Sequence, residues 1–221
     1  MRLTKFVPKE FYHIYNRGTD KREIFLDKED VLRFYQYLTE LNSEEVIGSL
    51  YQESFRKKKL RSLASKKTKK LVNIIAYCLN QNHFHFILEQ VADDGIQKFM
   101  HRLGTGYTNY FNNKNERTGG LFQGTYKAKH ILLNEYLLHL AVYVNLNDRV
   151  HKGMNKPWMK ELPFSSFKEY AGIQEKGICK KDIILGQFKD RKAFIKHCNE
   201  ILPIIKKRKE DIKEFNNICI D

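Results

Sequence analysis

The sequence predicts an α+β fold of the ferredoxin-like, split-βαβ kind: an antiparallel sheet with helices packed on it, followed by a mostly helical C-terminal extension. Three observations predict it. Apolar side chains alternate with period two in FYHIYNRG (11–18) and HFHFILEQ (83–90), the spacing of a strand with one buried face. They recur at three- and four-residue steps in two longer stretches, the spacing of core-facing helices. Turn signals then set the order β, α, β, β, α, β, α, whose first six elements match the split-βαβ core. A chain of 221 residues, 42% of them apolar, suits one domain with additions or two small ones. The reading places the core domain at 1–152, with a lysine-rich insert at about 55–70, and a basic extension at 153–221.

The elements follow in order. FYHIYNRGTD (11–20) reads as a strand meeting a turn at Gly18. Asp27 is placed to cap a helix in which Val31, Phe34, Tyr35 and Leu38 keep helical spacing. FRKKKLRSLASKKTKK (55–70) is dense in lysine and poor in large apolar groups, so it reads as exposed helix and loop, either a solvated face or a flap contacting phosphates. LVNIIAYCL (71–79), the short NQN turn and HFHFILEQ form a hairpin. After Asp93 and Asp94, residues Ile96, Phe99, Met100, Leu103, Tyr107, Tyr110 and Phe111 mark a core-facing helix. Thr118-Gly119-Gly120 breaks it, LFQGTYKAKHILL carries the next strand, and Asn134 caps a further helix, EYLLHLAVYVNLN.

Composition narrows the function. Forty Lys+Arg against 26 Asp+Glu leave a formal charge of +14, a field that attracts polyanions through phosphate contacts and counterion release. No apolar run approaches the roughly 20 residues of a membrane span, and no basic amphipathic anchor is evident, so nucleic acid is the expected partner and a membrane is not. The N-terminus lacks the apolar core of a secretory signal, which reads as cytosolic. Cys78, Cys179, Cys198 and Cys219 have no CxxC spacing and read as reduced, mostly buried thiols.

In QNHFHFILEQ, a strand sends Phe84, Phe86 and Leu88 to a core and leaves His83 and His85 side by side on the opposite face, roughly 6.5–7 Å apart. Two imidazoles at that separation can close on one divalent ion, or be two polar residues of a solvated face. In the helix at 134–147, Leu137, Leu140, Ala141 and Val144 cover one side and Leu138, Val142 and Leu146 most of another. His139, Tyr143 and Asn147 form a polar stripe at i, i+4 and i+8, with Tyr136 beside it. The stripe faces either solvent or something polar. If the helix crosses the open face of the sheet, His83, His85 and the Asn147 amide oxygen converge, with the Tyr143 phenol one turn away. Imidazole plus amide oxygen with open positions suits Mg²⁺ or Mn²⁺ on a phosphate, and a metal-activated phosphodiester is an electrophile that a placed tyrosine can attack.

These stretches together resemble a known family. YHIYNRG (12–18), AYCLNQNHFHFIL (76–88), YTNYFN (107–112), GGLFQGTYKA (119–128) and YLLHLAVYVNLN (136–147) occur in the order found in the single-tyrosine HUH transposases of the IS200 type, most nearly the REP-associated tyrosine transposase branch. PWMKELPFSSFKEY (157–170) resembles a looser form of that branch's downstream Trp and Ser-Ser stretch. The resemblance implies single-strand DNA cleavage and joining. His83 and His85 match the HUH pair, Tyr143 the nucleophile that becomes linked to a 5′ phosphate, and Asn147 the position of the third metal ligand. It selects Tyr143 over Tyr107, Tyr110 and Tyr136. Two departures stand out: Asn80-Gln81 where the family has Met-Pro, and Tyr-Val-Asn-Leu-Asn-Asp (143–148) where it has Tyr-Ile-His-Leu-Asn-Pro. Asp148 in place of proline is expected to lengthen the helix.

The resulting expectation is a transposase using Mg²⁺ or Mn²⁺ on single-stranded or hairpin DNA, in the bacterial cytoplasm near the nucleoid, as a monomer or homodimer. Arg17, Lys21, Arg22, Lys127 and Lys129 are candidate DNA contacts, as are the lysines of 56–70. Tyr12 and Tyr15 read as strand packing first and platforms for unpaired bases second. Two readings compete: a non-catalytic nucleic-acid-binding module, since such a sheet with aromatics also describes RNA-binding domains, and a metal-dependent phosphodiesterase using water.

Overall fold

The structure is a computed structural model that describes residues 4–45, 69–150, 162–174 and 176–218. Strands β1 (Phe11–Arg17), β2 (Val72–Asn80), β3 (His83–Gln90) and β4 (Lys127–Ile131) form one sheet in the order β2-β3-β1-β4. Every neighbouring pair is antiparallel. With α1 (Lys28–Glu40) between β1 and β2, and α2 (Gly95–Lys114) between β3 and β4, this is the ferredoxin-like arrangement expected.

Alternation along the strands decides which helix goes where. Tyr12, Ile14, Phe84, Phe86 and Leu88 point to one side, where Phe34 and Leu38 of α1 and Phe99, Leu103 and Tyr107 of α2 close a core. Asp27 caps α1 reciprocally: its carboxylate accepts from the Asp30 amide at 3.1 Å, and Asp30 accepts from the Asp27 amide at 3.3 Å, a capping-box geometry. The β2–β3 hairpin closes through Gln81 and Asn82, with Asn80 opposite His83. A bulge at Ile74/Ala76 shifts the register of β2. Because of the extra residue, Ile75 and Ala76 are both found in the core on the other face.

That other face is covered by α3 (Asn134–Val150), whose Leu137, Leu140, Ala141 and Val144 pack with Ile75, Cys78, Ile87 and Ile131. The short helices α4 (Phe167–Tyr170) and α5 (Asp182–Leu185) follow, and the long α6 (Arg191–Ile218) also packs on α3. Layers on two sides explain why α3 is apolar nearly all round. It runs through Asp148 to Val150, as expected from the missing proline. Its start differs from expectation. The Leu133 carbonyl accepts the first helical bond, from the Leu137 amide at 3.0 Å. Asn134 lies inside the helix and exchanges hydrogen bonds with Gln187 at 2.7 and 3.0 Å, so a tertiary partner has taken the amide a cap would use.

The Ser-Ser stretch closes the sheet edge. The Leu79 amide donates to the Phe164 carbonyl at 2.6 Å and the Ser166 amide to the Tyr77 carbonyl at 3.0 Å, pairing part of the outer side of β2. Ser166 Oγ also donates to Asn145 at 2.8 Å, fastening this segment to α3. Of the insert at 55–70 only Lys69 and Lys70 are described, both exposed; Lys57–Lys59, Lys66, Lys67 and Trp158 lie outside the described residues. Cys78 and Cys198 are buried free thiols and Cys179 is half-buried. Among the described residues no helix is long and apolar enough to cross a membrane.

One glycine is fixed by close approach. A Cβ on Gly95, the first residue of α2, would strike the Leu71 carbonyl oxygen, which is itself held by the Val91 and Ala92 amides at 3.1 Å each. Gly95→Ala is expected to cost on the order of 1–3 kcal/mol, read as a lower urea midpoint at unchanged slope.

Candidate functional site

The second face of the sheet carries the polar groups singled out above. Alternation in β3 puts His83 and His85 there, and the register of β1 brings Tyr15 opposite His85 and Arg17 opposite His83. The two histidine rings lie edge to face, 5.2 Å apart. His85 is enclosed by aromatic rings: His13 stacked at 5.2 Å, Tyr15 stacked at 5.8 Å and Tyr143 of α3 edge-on at 6.0 Å. Its Nδ1 lies 3.0 Å from His13 Nε2, so one nitrogen of the pair carries the shared proton. The α3 stripe descends into this site: His139 is exposed, Tyr143 half-buried and Asn147 fully buried.

Neighbouring hydrogen bonds fix the state of His83. Asn82 donates its amide nitrogen to the Lys21 carbonyl at 3.0 Å, which turns its oxygen to His83 Nδ1 at 2.6 Å. An amide oxygen only accepts, so Nδ1 bears the proton and Nε2 keeps its lone pair. That lone pair meets the Asn80 amide nitrogen at 3.0 Å, and the same nitrogen donates to Asn147 Oδ1 at 2.7 Å. Two acceptors from different elements therefore converge on one electropositive point. Asn80 Oδ1 is buried with no hydrogen-bond partner among the described residues.

Burial governs the ionisation. His13 is lowered to about 4 by desolvation and then by the Lys129 ammonium. His83 is lowered to about 4, first by desolvation, then by Lys209, with Arg17 adding to it and Asn147 opposing. Both rings are neutral near pH 7, the state a metal ligand needs. Burial raises the Tyr143 phenol above its ordinary value, and its hydrogen bond to Asn147 partly offsets this. Among the described residues no group of three or more His, Cys, Asp or Glu could hold a metal. The donor set is instead two imidazoles and an amide oxygen. By the chemistry of its donors it suits a hard divalent ion with open positions, with the Asn80 amide nitrogen holding the place between His83 Nε2 and Asn147 Oδ1.

His83, His85, Tyr143 and Asn147 are thus brought together. Arg17 is exposed at the end of β1, its guanidinium on the Gln123 amide oxygen. Lys127 and Lys129 are exposed on β4, paired in register with Tyr15 and His13. Lys21 and Arg22 are exposed on the turn that anchors Asn82, so they lie at the rim. Tyr12 is strand packing, as read first from the sequence, and is too buried to serve as a base platform. It is fully buried, its hydroxyl accepting from the Val7 amide at 2.8 Å and donating to the Lys5 carbonyl at 3.3 Å. Four residues were missed. His13 shares the parity of Tyr15 and Arg17, so alternation alone would have found it. Asn80 and Asn82 sit in the hairpin turn, where amides read as turn formers. Lys209 comes from α6, and nothing local signals its approach to His83.

The fold and this face define an α+β domain in which a helix lays a tyrosine and an asparagine over a sheet-borne pair of histidines. Residues 46–147 match the family of IS200-like transposases, a stretch that contains all four of these residues. The resemblance read from the sequence is borne out by that match, which supports a DNA transposase. No curated protein matches the chain. Among solved structures, one of a REP-associated tyrosine transposase bound to a REP hairpin is similar at 12% identity and a TM-score of 0.49, covering 80% of this chain and 88% of that one.

Proposed function

We propose that the protein is a metal-dependent transposase that cuts and rejoins single-stranded DNA through a 5′-phosphotyrosine at Tyr143, on DNA that folds as a hairpin. One observation carries the reading. The chain brings His83 Nε2 and Asn147 Oδ1 to the one Asn80 amide nitrogen, with the His85 ring against His83 and Tyr143 edge-on to His85, although β3 and α3 are far apart in sequence. A divalent ion there would supply Lewis acidity to the scissile phosphate. Asn147 orients the Tyr143 hydroxyl, and α3, fastened through Asn145 to Ser166, holds the phenol in place. The Tyr143 oxygen attacks phosphorus as the P–O3′ bond breaks. The phenolic proton is given up, the departing 3′ oxygen takes a proton, and the 5′ phosphate stays on the enzyme. Attack by another 3′ hydroxyl reverses the step and rejoins the strand. The exposed Arg17, Lys21, Arg22, Lys127 and Lys129 would contact the DNA backbone, and a single-stranded hairpin as the substrate follows from the family resemblance in the sequence.

The test is covalent trapping. Protein incubated with end-labelled single-stranded hairpin DNA and Mg²⁺ or Mn²⁺ should give a protein–DNA band that survives denaturation and disappears with chelator. Cleavage without a covalent band would point to water as nucleophile. Binding with neither, across both metals and several hairpins, would replace the reading with a non-catalytic binding module.

A further inference from the structure

His13 is a buried group on the histidine face to which the reaction proposed above gives no role. Strand β1 sends it to the same side as Tyr15 and Arg17, and the antiparallel register sets His13 opposite Ile87 and Tyr15 opposite His85. His13 and His85 are therefore diagonal neighbours on the sheet, a separation that ring side chains can bridge. Here they do: the rings stack at 5.2 Å, and His85 Nδ1 lies 3.0 Å from His13 Nε2. His13 is only 9% exposed, and its ring also meets Tyr15 at 4.9 Å. Strand β1 lies outside residues 46–147, the stretch that matches the transposase family.

Two imidazole nitrogens at this distance share one proton, and its place decides what His85 can do. If His13 donates from Nε2, a neutral His85 carries its own proton on Nε2 and has no lone pair there for an ion. If His85 donates from Nδ1, its Nε2 keeps the lone pair, and His13 carries its proton on Nδ1. The neighbouring histidine shows which arrangement suits this face. His83 is held at Nδ1 by the Asn82 oxygen, and its Nε2 meets the Asn80 amide beside Asn147. With His85 held in the same way, both imidazoles would ligate through Nε2, each fixed at Nδ1 by a residue outside the ligand set. That is the usual arrangement of metal-bound histidines. We propose that His13 is a positioning residue for the ion: it accepts from His85 Nδ1 and holds His85 in the orientation and tautomer that let Nε2 ligate. This rests on the metal-dependent reading above and extends it to a residue of β1.

The experiment uses the whole chain, Mn²⁺ alone and two substitutions. His13→Phe keeps a ring to stack on His85 and Tyr15 but offers no acceptor. His13→Gln loses the ring but can set its amide oxygen close to the place of Nε2. Mn²⁺ affinity, read by electron paramagnetic resonance, is expected to fall about 10–100-fold in His13→Phe, the loss of an outer-shell partner, and to stay within about threefold of wild type in His13→Gln. A role in packing alone would reverse that ranking, because phenylalanine is the better substitute for a stacked ring. In the metal-free protein, histidine ¹⁵N shifts should show His85 protonated on Nδ1, and in His13→Phe this form should give way to the one protonated on Nε2. Wild-type His85 protonated on Nε2, unchanged Mn²⁺ affinity in His13→Phe, or His13→Gln binding as weakly as His13→Phe would overturn the proposal. A DNA adduct at Tyr143 together with unchanged Mn²⁺ affinity in His13→Phe sinks the positioning role alone. Mn²⁺ binding that follows His13 as expected, with no adduct on any hairpin, sinks the transposase reading alone.

Discussion

Tyr143→Phe is expected to abolish the covalent protein–DNA band and strand cleavage while leaving the fold and DNA binding in place. The substitution removes one oxygen. The ring keeps its edge-on contact with His85 and its packing against the α3 core, so the cost to stability is one hydrogen bond, on the order of 1 kcal/mol or less. Cleavage should fall by at least about 10³-fold, because no other group can take over a nucleophile's bond to phosphorus. Tyr107 is buried with its hydroxyl donating to the Ile24 carbonyl at 2.6 Å, and Tyr110 donates to Asp30 at 3.1 Å, on the far face of the sheet. Tyr136 is the informative control. It lies on α3 with the Lys129 ammonium over its ring at 5.2 Å, and Tyr136→Phe should keep the adduct. A band that persists in Tyr143→Phe and is lost in Tyr136→Phe would move the nucleophile two turns up the helix. The measurement is the yield of denaturation-resistant band, with hairpin affinity followed by anisotropy.

What was legible in the sequence was what depends on period. Alternation in β1 and β3 and the three- and four-residue steps of α1 and α2 fixed both the sheet faces and the helix layer, because a one-residue slip would have buried His83 and His85 in place of Phe84 and Phe86. The stripe on α3 was visible for the same reason, but not whether it faced solvent or a site. That depended on α6 covering the outer side of the helix, a contact between segments with no local signature. The amides show the limit most clearly. Asn134 looks like a cap and pairs with Gln187. Asn80 looks like a turn residue and donates to two candidate metal ligands at once. Short polar side chains form whichever hydrogen bond the tertiary structure offers, so their partners are decided by the fold. His13 was within reach, since parity placed it beside His85.

His83→Ala and Asn147→Ala should each reduce Mn²⁺ affinity by at least about 100-fold, more than the roughly 10–100-fold typical of losing an outer-shell partner, which is the range expected for Asn80→Ala. The physical reason is convergence: His83 Nε2 and Asn147 Oδ1 lie 3.0 and 2.7 Å from the one Asn80 amide nitrogen between them, so each variant removes one of few donors. Electron paramagnetic resonance of Mn²⁺ reads free against bound ion without depending on catalysis. Acid separates this site from an ordinary surface pair of histidines. His83, lowered from 6.5 to about 4, stays neutral as pH falls through the range in which an unperturbed imidazole charges, so its lone pair should remain available to the ion at about pH 5. The same shift has a cost for the fold. The unfolded chain takes up protons at His13 and His83 from about pH 6.5 downward and the folded chain only near 4, so stability present above 6.5 declines between these values. Near pH 5, denaturant midpoints should therefore be lower than at pH 7 while Mn²⁺ remains bound to the folded fraction. Binding that fades with a midpoint near 6.5, or that survives in His83→Ala, would show that these imidazoles are not what holds the ion.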